Sequence, residues 1–201
     1  MNFSIKKHDH LNHKIVLSKN FILVLCLGFI MFSCQEQTIR YTQNSKEIET
    51  VKQTISHYDL NKWDSLVLNY ADTAKIYYNT RKDVLNPKEL KTFFTRNDSY
   101  ISTRAFEDES REYEMIEDNN GKIWVNFWGL WKGNLKDNNK GIVIPVHITY
   151  QFYKGKIVEE FGYWNSAELT NEIQAIKNKK IELDEIDAIE EIQEIPDIDE
   201  L

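Results

Sequence analysis

Apolar residues enter this chain first as a block and later as a rhythm. Residues 21–32 are twelve consecutive apolar or small positions, preceded by Lys6, Lys7, Lys14 and Lys19. A basic flank followed by about a dozen apolar residues is the pattern of an export signal. A comfortable membrane span needs roughly 20 apolar residues, so residues 1–33 are expected to act as a leader. Residues 34–45 are polar and read as a tether. From residue 46 the apolar positions become periodic. Ile48, Val51, Ile55 and Tyr58 recur at helical spacing, which predicts an amphipathic helix. Trp63, Leu66, Val67 and Tyr70 predict a second, shorter helix, and residues 74–78 a brief strand.

Asn86-Pro87-Lys88-Glu89 predicts another helix start. Asn86 can cap, Pro87 suits the first helical position, and Glu89 can reach back to the cap. Leu90, Phe93 and Phe94 supply its apolar face. Beyond residue 110 the period shortens to two. Residues 111–118, 122–132, 142–153 and 156–165 are rich in β-branched and aromatic side chains, which predicts strands. Asn119-Asn120-Gly121 and Lys154-Gly155 read as hairpin turns. Helices followed by four main strands on short turns predict an α+β domain with an antiparallel sheet over residues 46–166. Leu169, Ile173 and Ile176 give residues 167–180 a helical stripe. In residues 181–201 isoleucine recurs every three positions among acids. That spacing fits neither a helical stripe nor a strand, so this tail is expected to be disordered. The alternative is an acidic amphipathic segment that docks on a partner.

Charge sharpens the division. The whole chain carries −7, but residues 1–33 hold four Lys and one Asp, and residues 181–201 hold ten acids and no Lys or Arg. Residues 34–180 therefore balance, with 21 charges of each sign. A neutral domain with an acidic tail has no electrostatic footprint for nucleic acid. Both cysteines, Cys26 and Cys34, belong to the leader and its end, so the domain has no disulfide framework. Two histidines remain beyond residue 34, His57 and His147, too few ligands for a transition-metal site. No P-loop, glycine-rich nucleotide motif or paired-His spacing occurs, and no cofactor is implied.

Ser33-Cys34, closing the apolar run, resembles the lipobox of bacterial lipoproteins, with Met31 where the usual pattern has Leu. The resemblance implies acylation of Cys34 after cleavage and a mature domain anchored to a bacterial membrane, outside the cytoplasm. Ordinary cleavage near Ser33 would instead release a free exported protein. Trp63-Asp64-Ser65-Leu66 and the segment Tyr70-Ala71-Asp72-Thr73-Ala74-Lys75-Ile76-Tyr77 resemble the opening of NTF2-like (SnoaL-like) domains. Gly155-Lys156-Ile157-Val158-Glu159-Glu160 resembles the final hairpin of that superfamily. The resemblance implies a curved sheet wrapped on helices into a cone, a pocket inside, and a homodimer formed through the sheet.

Cyclase-like members place a catalytic Asp on the last strand, at the position of Gly162 here, and a His at the position of Glu160. With no side chain at Gly162 that acid/base role is vacant, which favours a module that binds a small apolar or aromatic ligand or a protein partner without catalysis. The alternative is a lyase, isomerase or cyclase with His147 or Glu160 as its acid/base. His147 lies at mid-strand on the more polar face of residues 142–153, and histidine is the residue type most often used for proton transfer. Glu159 and Glu160 are adjacent and so point to opposite faces; one of them can enter the cone. Tyr77, Trp124, Trp128, His147 and Tyr163 are the candidate ligand contacts, because aromatic-rich cones suit flat or apolar ligands.

Overall fold

The computed structural model describes residues 40–193. The leader and Cys34 lie outside the described residues. A two-residue strand, β1 (Tyr41–Thr42), precedes α1 (Lys46–Asp59). Ser45 caps α1, its Oγ accepting from the Ile48 amide at 3.1 Å, and Glu47 and Glu49 sit in the first turn, where the helix dipole favours acids. Ile48, Val51, Thr54, Ile55 and Tyr58 form the buried stripe. Asp59 ends the helix by accepting from the Phe106 amide at 2.9 Å and from Arg111 Nη2 at 2.9 Å, which pins α1 to the sheet.

The second helix is shorter than its apolar spacing predicts. α2 covers Trp63–Val67, and Tyr70 begins a strand, β2 (Tyr70–Tyr78), rather than ending a helix. Tyr70 is buried in the sheet opposite Ile157, so tertiary pairing overrides a local period that a single turn defines weakly. The Asn86 capping box forms as expected: its Oδ1 accepts from the Lys88 amide and its own amide donates to Glu89. A 3-10 turn (Pro87–Glu89) then leads into α3 (Leu90–Thr95).

The four main strands fall where the alternation places them, as β4 (Glu112–Glu117), β5 (Ile123–Leu135), β6 (Gly141–Tyr153) and β7 (Lys156–Trp164). A further strand, β3 (Ile101–Phe106), pairs with the second half of β5, while β4 pairs with the first half. The seven-stranded sheet runs β1-β4-β5-β6-β7-β2, with β2 parallel to β7 and the other pairs antiparallel. Lys154 and Gly155 both have positive φ, 49° and 74°, the two-residue turn whose twist matches a β-hairpin.

The core is the concave side of this sheet. Val125, Phe127 and Trp131 of β5, and Ile142, Ile144, Val146, Ile148, Tyr150 and Phe152 of β6, pack towards α1. The last element corrects the expectation for the tail. α4 runs Ala167–Gln193, well past residue 180. Its first turns bury Leu169 and Ile173, and Lys140 Nζ binds Glu172 at 2.7 Å and Glu168 at 3.3 Å. Once those turns are docked, extending the helix needs only propagation, not a new nucleus, and Pro196 is the first breaker. Ile181, Leu183, Ile186 and Ile189 stay about half exposed, so the helix continues without a face to pack.

Candidate functional site

The helices do not fill the concave side completely. A cavity of about 330 Å³ remains between α1, α3, the first turns of α4 and the inner sheet. Its walls are largely apolar, aromatic and aliphatic together. Tyr58 packs edge-on against Phe94 with ring centroids 4.9 Å apart, and Tyr78 packs on Phe93 at 4.8 Å. Trp131 donates its indole N–H to the Tyr58 hydroxyl at 2.7 Å, which orients both side chains.

At the deep end sits Glu160, 1% exposed. Tyr70 donates to its Oε2 at 2.6 Å and Tyr78 to its Oε1 at 2.8 Å. No cation lies within ion-pair distance of it among the described residues. Burial raises its carboxyl to about 7, and the two phenol donors hold it from rising further. Burial likewise pushes the Tyr70, Tyr78 and Tyr150 hydroxyls well above their ordinary value, so all three stay protonated. Tyr58 is raised to about 12 by burial, with Arg104 opposing.

A bulge decides which of the two adjacent glutamates enters. Opposite the Lys154-Gly155 turn, Phe152 pairs with Ile157, but the next partners are Gln151 with Glu159 and Tyr150 with Glu160. Val158 is the extra residue. Without it Tyr150 would face Glu159, and the pleat would carry Glu160 outward. Bulges near sites act this way, re-aiming one side chain at the expense of a ladder bond. Two residues on, a Cβ at Gly162 would lie 2.6 Å from Tyr78 Cδ1 and 2.7 Å from Trp164 Cζ3. Glycine is therefore what lets those rings cross the strand. The position where cyclase-like members carry Asp is taken up by Tyr78, and the cone's carboxylate stands one pleat deeper, at Glu160.

The other candidates from sequence lie elsewhere. Tyr77, Trp124, Trp128, His147 and Tyr163 are on the opposite, outer face of the sheet. His147 stacks on Trp128 with centroids 4.8 Å apart and contacts Thr149 Oγ1 at 3.1 Å; it cannot share a substrate with Glu160 across the sheet. Tyr77 stacks on Phe161 at 5.2 Å, and Trp124 lies near the same ring. Tyr70 and Tyr78 are not among the candidate site residues from sequence; Tyr150 stands there among the aromatics on the apolar face of its strand, without a place in the site. Asn126 and Lys132 carried a usable signal: they share the parity of Trp124 and Trp128 along β5, and polar residues mark the outer side.

No protein-family model matches the chain, and no curated protein matches it in sequence. Solved structures do match in shape. PrhC from Penicillium brasilianum NBRC 6234 is 11% identical, with TM-score 0.53 over 69% of this chain and 93% of that one. An NTF2-like protein of unknown function from Burkholderia pseudomallei K96243 is 12% identical, with TM-score 0.51 over 64% and 97%. A protein from Shewanella denitrificans OS-217, provisionally described as a SnoaL-like polyketide cyclase, is 14% identical, with TM-score 0.50 over 66% and 99%. Likeness at this identity speaks for the fold alone, and the fold of this chain is the NTF2-like α+β cone.

Proposed function

We propose that this protein is an envelope-tethered cone that binds a small, largely aromatic or apolar organic ligand without transforming it. The observation that carries the reading is the 330 Å³ cavity with a single buried carboxyl at its end. Its size is at the lower end of small-molecule sites, and an apolar wall with a few placed polar groups is their usual construction. Both Glu160 oxygens already accept from tyrosines, so the carboxyl is built to hold a ligand's hydroxyl or amine in a fixed place. Tyr150 has no hydrogen-bond partner for its hydroxyl among the described residues and is free to donate. A titration with 2-naphthol, followed by quenching of tryptophan fluorescence, tests this. Saturable binding that Glu160→Gln weakens about tenfold, while naphthalene binding is little changed, supports the reading. No saturable binding of either probe overturns it.

A second reading has one specific observation in its favour: a carboxyl near 7 is matched to proton transfer at neutral pH. In it Glu160 takes a proton from carbon beside a ligand carbonyl, the C–H electron pair moves into the new C=C bond, and the carbonyl oxygen becomes an enolate oxygen facing Tyr150. The provisional cyclase description of the Shewanella protein agrees with this chemistry. Solvent deuterium incorporation into the methyl group of 2-acetonaphthone, lost in Glu160→Gln, would establish proton transfer; no enzyme-dependent incorporation leaves binding alone.

The tether is inferred from Ser33-Cys34 at the end of the apolar run. Several acyl chains on one cysteine would anchor firmly, each buried methylene contributing about 0.8 kcal/mol. Expression in a bacterial host with labelled fatty acid is expected to label the wild type and not Cys34→Ala. Equal label in both, or none in either, would refute it.

A further inference from the structure

The charges around the cone are lopsided. Arg96 closes α3, Arg104 stands on β3 and Lys177 on α4, and all three line the cavity, whereas Glu160 is the one acid among its lining residues. Residues 34–180 as a whole are neutral, so this three-to-one excess is local and is assembled from three separate elements. Arg96 and Lys177 are solvent-exposed and so mark the opening; the Arg104 side chain is 8% exposed and lies deeper.

Their partners show which of these charges is already compensated. Arg104 pairs with Asp98 and donates Nη2 to Asn61 Oδ1 at 2.8 Å. Its Nε is buried with no partner among the described residues. Arg96 and Lys177 have no carboxylate within 4.0 Å among the described residues. Each is steadied by a ring instead: Arg96 Cζ lies 3.7 Å from the Phe93 centroid and Lys177 Nζ 5.3 Å from that of Tyr100. Arg96 also donates Nη1 to the Phe93 carbonyl, which leaves its other N–H groups unused.

We propose that the cone's ligand is an organic acid, bound as its anion, with the acid group at the opening between Arg96 and Lys177 and the apolar body along Tyr58, Phe106 and Trp131. This deepens the ligand-binding reading and rests on it. A guanidinium and an ammonium that both line the cavity and lack carboxylate partners among the described residues attract an anion and select against a cation of the same shape. Glu160 at the far end adds to that selection by excluding a carboxylate that enters acid group first, so the ligand's orientation follows from charge.

Decanoate, decanol and decylamine share an apolar body and differ in the head group. Their affinities for the whole mature chain can be read by calorimetry at neutral pH. Decanoate is expected to bind about tenfold tighter than decanol, and decylamine more weakly than either. Arg96→Ala and Lys177→Ala should each lower decanoate affinity several-fold and leave decanol unchanged. Both side chains are exposed, so the fold is expected to survive, and decanol binding by each variant reports that it has. Decanoate and decanol binding equally well would overturn the anion proposal while the cone reading stands. Decylamine binding most tightly would overturn it and make Glu160 the charged partner. Failure of all three to bind while 2-naphthol still binds would overturn the anion proposal alone; failure of 2-naphthol as well would remove the cone reading, and this proposal with it.

Discussion

A carboxyl buried without a cation has to be satisfied by neutral donors or keep its proton, and Glu160 does some of each. Burial raises it from the ordinary 4.5 to about 7, against two tyrosine donors. The folded chain therefore holds a proton between those values that the unfolded chain has released. The contribution of this group to stability is full below about 4.5, falls as pH rises to about 7, and stays low above. The size is on the order of 3 kcal/mol. Glu160→Gln removes the titration, so the stability of the variant relative to wild type should improve on going from pH 5 to pH 8. Urea unfolding at those two pH values measures it, and an unchanged difference between variant and wild type would contradict the account. At this scale the sequence was half legible. Adjacent Glu159 and Glu160 must face opposite ways, which follows from the pleat alone. Which one enters depends on the bulge at Val158, and a bulge has no side-chain signature there. The two tyrosines that complete the site are 90 and 82 residues away in sequence, beyond the reach of any local period.

Elements were legible where their period was long. α1, the capping box before α3 and the strands β4 to β7 all lie within a few residues of the boundaries that apolar spacing and turn residues predict. Among the short elements, α2 and the strand at 74–78 within β2 were legible, and β1 and β3 were not. A two-residue β1 offers no alternation, and β3 pairs with β5 through an irregular register. β2 joins the sheet by a parallel pairing with β7, across a chain separation that hairpin logic does not address. α4 shows the opposite error. Its isoleucine period of three has no helical stripe, yet helix is what the docked first turns propagate. This bears on truncation. Ile181, Ile186 and Ile189 remain exposed, so among the described residues no core contact depends on the isoleucines past residue 180. A mature chain ending at Lys180 should therefore melt within about 5 °C of one ending at Leu201. A larger fall would mean that the helix beyond Lys180 packs on the domain.

For the whole molecule, the sheet has two faces with separate employment. The inner face closes the cone. The outer face carries aromatic side chains that no helix buries among the described residues: Tyr77 on Phe161, Trp128 on His147, and Tyr163 beside them. Trp128 is 38% and Tyr163 44% exposed, large values for such rings at the middle of a sheet. The NTF2-like resemblance implies pairing of two copies through this face, and an exposed aromatic strip on a neutral domain suits a two-fold interface. Tethering both copies in one membrane plane would raise their effective concentration further. The mature domain is therefore expected to sediment as a dimer at about 100 μM, and the double substitution Trp128→Glu with Tyr163→Glu to sediment as a monomer, because four like charges would meet across the axis. Since the cone lies on the other side of the sheet, that variant should keep the wild-type affinity for a cone ligand such as 2-naphthol. A monomeric wild type at that concentration would remove the outer face as an interface. A dimer that survives the double substitution would place the interface elsewhere. Loss of dimer and ligand together would mean that the two faces are coupled through β6, whose residues alternate between the buried inner side and the outer surface.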